Sequence, residues 1–117
     1  MKIEEVRDLM VFLSNDLKNR LGNAMWTVTA IEERVLGSRY RIVHQALCGF
    51  EITDYRNQGT EGTVITLLPC LCRESGEPYI LVDVDGCRRG AFPVLGGFCI
   101  SERTKGLSES IYQCVMN

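Results

Sequence analysis

Apolar residues change their repeat once along this chain, and that change restricts the fold more than any other feature. Val6, Leu9, Met10, Leu13, Leu17 and Leu21 recur at three- and four-residue intervals, the mark of one helical face. Glu4 and Glu5 stand in the first turn and Lys18 and Arg20 in the last, each sign where it favours the helix dipole. Gly22 follows as a left-handed stop, so the spacing predicts a helix over residues 3–21. From Ala24 the repeat shortens to two. "WTVTAIEERV", "RYRIVHQALC", "FEITDY", "TVITLL" and "YILVDV" are short runs rich in β-branched and aromatic residues. The stretches between them are too short to hold crossover helices, which excludes parallel βαβ units. The expected architecture is α+β in one domain, residues 1–117. It has an N-terminal helix on a mainly antiparallel sheet of about five to seven strands, then a short C-terminal helix or strand.

Turn chemistry places the strand ends. "LGSR" reads as a hairpin loop joining the first two runs, which puts Tyr40, Ile42, His44, Ala46 and Cys48 on one face of the second. Gly49 is expected to mark a bulge, and "RNQGTEGT" a polar loop. Pro69 is expected to end the next strand, because proline cannot donate to a central ladder. "RESGEP" is a turn, and Asp85-Gly86 and Gly96-Gly97 are both hairpin dipeptides. In the tail, Leu107, Ile111, Cys114 and Val115 are spaced as in a short helix, over a length that also suits a strand.

The formal net charge of −2 offers no field for gathering nucleic acid or anionic lipid. The N-terminal run carries charge throughout, so neither a leader peptide nor a membrane span is expected. Cys48, Cys70, Cys72, Cys87, Cys99 and Cys114 sit among apolar neighbours, as in "QALCGF" and "IYQCVM". Without an export signal they read as buried free thiols of a cytoplasmic protein.

Several stretches invite a chemical reading. "YILVDVDGC" matches, over a few positions, the Asp-x-Asp-Gly run with which phosphatases of the haloacid dehalogenase superfamily open their active sites. That chemistry also needs a later acidic pair and further parallel strands, and too little chain follows Gly86 to supply them. Asp83 therefore reads as a strand end and Asp85-Gly86 as a turn. A calcium loop fails on the same stretch, because two arginines follow where oxygen ligands are required. Cys70 and Cys72, with Cys87 and Cys99 downstream, lack the Cys-x₂₋₄-Cys spacing that lets two sulfurs converge on zinc. Neither metal nor cofactor is expected. His44, the only histidine, falls between core-like Ile42 and Ala46, a setting for a partly buried imidazole rather than a cysteine–histidine dyad. Arg39 and Arg41 are expected to pair across the hairpin with Glu32 and Glu33. "GTEGT" has the glycines of a phosphate cradle but no lysine and no following helix.

One pattern is left over. "TVITLL" and "YILVDV" are apolar on both faces, whereas one helix covers only one side of a sheet. The uncovered side predicts a non-enzymatic protein-binding module, of the inhibitor or immunity type that neutralises a toxin or blocks a host defence. A homodimer is the simplest cover, with Val64, Leu68, Arg88 and Arg89 as interface candidates and neither membrane nor nucleic acid as partner. The alternative is a small-ligand-binding domain or small enzyme with a pocket between helix and sheet, where Tyr40, His44 and Asp54 supply polar groups.

Overall fold

The computed structural model describes residues 2–56 and 62–117. Helix α1 runs Ile3–Leu21, as its apolar spacing predicts. It ends where Gly22, at φ 90°, donates its N–H to Lys18 O at 3.0 Å. There follow β1 (Ala24–Thr29), the one-turn helix α2 (Glu33–Leu36), β2 (Tyr40–Arg41), β3 (Gly49–Asp54), β4 (Thr63–Cys72), β5 (Pro78–Val84), β6 (Cys87–Pro93) and α3 (Thr104–Met116). All strand pairs are antiparallel, in the order β1-β3-β4-β5-β6, with β2 on β4 beyond the end of β3. The fold is the expected α+β arrangement, and the tail is a helix. Most of the loop expected over residues 56–63, including the core of "GTEGT", lies outside the described residues. Among the described residues, no helix is long and apolar enough to cross a membrane.

α1 and α3 lie against each other on one face of the sheet. Leu9, Leu13 and Leu17 from α1 and Ile111 from α3 meet Phe50, Ile52, Ile65, Leu67, Ile80 and Val82 in one buried cluster. Period-two alternation supplies this core: odd residues of β4 and even residues of β3 and β5 point the same way. Each such side chain contributes roughly 1.5–3 kcal/mol by leaving water.

Four expectations about strands and turns give way. The run from Tyr40 to Cys48 is not a strand paired with β1; only Tyr40 and Arg41 pair, and they pair with β4. The partner of β1 is β3, with Thr29 opposite Gly49. Local bonds break the run: Leu47 N–H donates to His44 O and Ala46 N–H to His44 Nδ1, so Leu47 drops into the main core. Gly49 is not a bulge but a close approach, since a Cβ there would stand 2.8 Å from Leu68 Cδ2. Pro69 does not end its strand. Cys72 N–H donates to Glu77 O across the β4–β5 hairpin, so alternation turns the Pro69 nitrogen away from β5. On that other side β3 has stopped opposite Leu67 and β2 begins opposite Leu71, so no ladder bond is lost. Gly96-Gly97 likewise makes a turn that leads to α3 rather than a hairpin.

On the second face of the sheet the apolar patch of β4 and β5 is covered by the chain itself, while Val64, Thr66, Glu51 and Thr53 on that face stay half-buried. Leu36 and Tyr40 pack on Leu68, Cys70 and Leu81 in a separate buried cluster, with Ile31, Ile42 and Tyr79 around it. Two arginines tie this strap down. Arg73 donates to Glu33 Oε1 at 2.9 Å and to Tyr40 O at 3.2 Å, and Arg88 donates to Val35 O at 2.7 Å while paired with Asp83. The expected pairing of Glu33 with Arg39 or Arg41 is thus replaced by Arg73, and Glu32 pairs with Arg34.

Candidate functional site

The aspartates of "DVDG" have separate structural duties. Asp83, 4% exposed, holds the Arg88 guanidinium that pins α2. Asp85 (φ 50°) and Gly86 (φ 83°) form the tight turn between β5 and β6 that their dipeptide favours. The Asp85 carboxylate accepts the Val64 N–H at 3.0 Å and its own N–H donates to Val64 O at 2.8 Å, which locks the turn to β4.

Tyr40, His44 and Asp54 do not meet. Tyr40 ends the strap and packs on the sheet against the Tyr79 ring, 5.5 Å away. His44 is exposed in a loop, not half-buried on a strand. Asp54 faces the helix layer, where Arg56 binds it at 2.7 Å beside Met116 of α3. The Arg56 hydrogen bonds hold its carboxyl below the usual carboxylate range despite burial.

The interface candidates fare unevenly. Leu68 is 3% exposed beneath the strap, so it is a core residue and not part of a surface. Val64 is half-buried, Arg88 is committed to Asp83 and Val35, and Arg89 alone is exposed without an ion pair among the described residues. The cysteines also stay apart. All six are free. Cys70 and Cys72 stand at one end of β5 and Cys87 at the other, roughly 17 Å away at ~3.4 Å per residue. Among the described residues no group of three metal-binding side chains converges.

Among the described residues, two features have the geometry of a site. The first is the outer edge of β1. Tyr55 N–H donates to Asn23 O at 2.8 Å, so alternation turns Met25, Thr27 and Thr29 toward β3. Ala24, Trp26 and Val28 then point their N–H and C=O groups outward, and among the described residues nothing hydrogen-bonds to them. Sheet edges are ordinarily guarded by charge, proline or a bulge. The opposite edge, β6, has all three: Arg88 and Arg89, Pro93, and a register shift opposite Val82 and Asp83. β1, "AMWTVT", has none, and Met25 and Val28 are 66% and 54% exposed. Trp26 is fixed beneath, its indole N–H donating to Asn15 at 2.7 Å and its ring 5.3 Å from Phe50. A groove of about 220 Å³ adjoins it, walled by Arg7, Met10 and Val11 of α1 and by Val28, Leu47 and Phe50.

The second feature is a cleft of about 520 Å³ between α1, the end of β6 and the start of α3. Leu9, Phe92, Val94 and Leu107 give it apolar walls, and Ser101 and Arg103 lie on its polar side. Neither feature was reached from the sequence. The uncharged composition of β1 beside the guarded β6 was a legible signal once both strands were known to be edges. The cleft had no local signal, because its walls come from three distant segments. Comparison with protein-family models, with curated proteins and with solved structures finds no match to this chain.

Proposed function

We propose that this chain is a small non-enzymatic protein-binding module of the inhibitor or immunity type, and that it engages its target by adding a strand to β1. The observation that carries this reading is the unguarded β1 edge. An extended segment laid there gains main-chain hydrogen bonds from Ala24, Trp26 and Val28 and covers Met25 and Val28. A bare second sheet face does not support it, because the strap from Ile31 to Tyr40 covers Leu68, Cys70 and Leu81 there. The six free thiols fit a reducing compartment such as the cytoplasm.

In the absence of a target the same edge pairs with a second copy. With Trp26 on the two-fold axis, Ala24 meets Val28 of the partner subunit and Met25 meets Thr27 of the partner subunit. The outward groups then bond in register and no like charges oppose. A six-residue strand pair is a small interface, which implies a dimer that dissociates on dilution.

Light scattering from micromolar to near-millimolar concentration tests this. The wild-type chain is expected to shift from monomer to dimer. Met25→Lys and Val28→Pro, both at exposed edge positions, are expected to stay monomeric with little change in Tm. A wild-type chain that remains a monomer throughout, or edge variants that dimerise equally well, would end the proposal.

One observation favours the alternative, a small-ligand domain: the cleft between helices and sheet lies within the roughly 300–1,000 Å³ range of ligand pockets. Its residues are not Tyr40, His44 or Asp54.

A further inference from the structure

The polar chemistry of the cleft is one-sided. Among the described residues, none that lines it is acidic. Arg103 is its one cation and, among the described residues, its guanidinium makes no ion pair or side-chain hydrogen bond. Ser101 Oγ accepts the Arg103 N–H at 3.3 Å and Thr104 Oγ1 accepts the Ser101 N–H at 2.7 Å. Each hydroxyl therefore keeps its own hydrogen to donate. Asp8, Glu102 and Glu109, each next in sequence to a lining residue, are exposed and do not line the cleft. Apart from Cys99 and Ser110 the remaining wall is hydrocarbon, and it includes Leu95, which is 62% exposed and gains cover from anything seated there.

A site with apolar walls, hydrogen-bond donors and a free guanidinium excludes cations, and it leaves a neutral ligand facing an unpaired charge. We propose that the cleft binds an amphipathic monocarboxylate, an apolar chain or ring whose carboxylate is gripped by Arg103. A guanidinium takes a carboxylate through two parallel N–H bonds, so the head group sets orientation while Leu9, Phe92 and Leu107 hold the body. This inference rests on the ligand reading of the cleft and is independent of the β1 edge.

Isothermal titration of the full chain with decanoate, 1-decanol and decyltrimethylammonium, each below its micellar concentration, tests it. Decanoate is expected to bind about tenfold or more tighter than decanol, and the ammonium compound weakest. Arg103→Gln, at an exposed position, is expected to remove the preference for decanoate and leave decanol unchanged. Leu95→Glu, also exposed, is expected to weaken decanoate selectively by setting a carboxylate in the cleft. Equal binding of decanol and decanoate, or a preference that survives Arg103→Gln, overturns the monocarboxylate assignment while the cleft remains a ligand site. Absence of binding by all three overturns the assignment and the ligand reading together.

Discussion

Leu36→Ala measures whether the strap from Ile31 to Tyr40 closes the second face of the sheet. Leu36 is 1% exposed and packs on Leu68, Cys70 and Leu81, although it belongs to a helix of a single turn. The substitution removes three carbon groups at ~0.8 kcal/mol each, which is about 2.4 kcal/mol of transfer free energy. A cavity adds to this, and buried leucine-to-alanine changes span roughly 2–5 kcal/mol. A one-turn helix on the surface is free to settle into the space, so the loss belongs in the lower half, about 2–3 kcal/mol. For a chain of this size that is a fall of roughly 8–15 °C in Tm. Urea unfolding reads it as a lowered midpoint at constant slope. Val35→Ala is the control: its side chain is exposed and Arg88 bonds its carbonyl, so the change should stay within about 0.5 kcal/mol. A loss below about 1 kcal/mol for Leu36→Ala, or one no larger than the control's, would refute the closed face and restore it as a docking surface.

Three further outcomes follow from the same geometry. Arg88→Ala leaves the buried Asp83 without its cation and frees the strap at Val35, and should cost about 2–4 kcal/mol in urea unfolding; a neutral result contradicts the clamp. Asp54 is held below its usual pKa by Arg56, so its contribution to stability is full above about pH 4 and is lost as pH falls through the lower folded value. Asp54→Asn should therefore show a shallower decline of Tm below pH 4 than the wild type; parallel curves would show that the pair contributes nothing. Burial pushes the Cys70 thiol up to about 12, whereas hydrogen bonds from Ser75 and the Glu74 backbone lower that of half-buried Cys72. Iodoacetamide at pH 8 should label Cys72 ahead of Cys70, which reacts only on unfolding; equal rates by peptide mass spectrometry would contradict this burial.

Features set by neighbouring residues were legible in the sequence. The limits of α1 follow from its apolar spacing and Gly22, and the β5–β6 turn follows from Asp85-Gly86, because each choice is decided within one or two turns of chain. The antiparallel class was legible too, from connections too short for crossovers. What lies across the sheet was not. "RYRIVHQALC" has the composition of a strand, yet β3 competes for β1 with a better-matched apolar face, and the losing segment turns at His44 to place Leu47 in the core. "ERVL" carries too few residues to specify a helix alone; it is held by Arg73, Arg88 and an apolar patch that exists only after β4 and β5 have paired. The two-faced apolar pattern of β4 and β5 showed that a cover was required, but not that it came from the same chain. Local energetics write themselves into adjacent residues. Which distant segment wins a sheet edge or a bare face depends on competition among all of them, and only tertiary packing resolves that, leaving β1 open and a cleft beside Arg103.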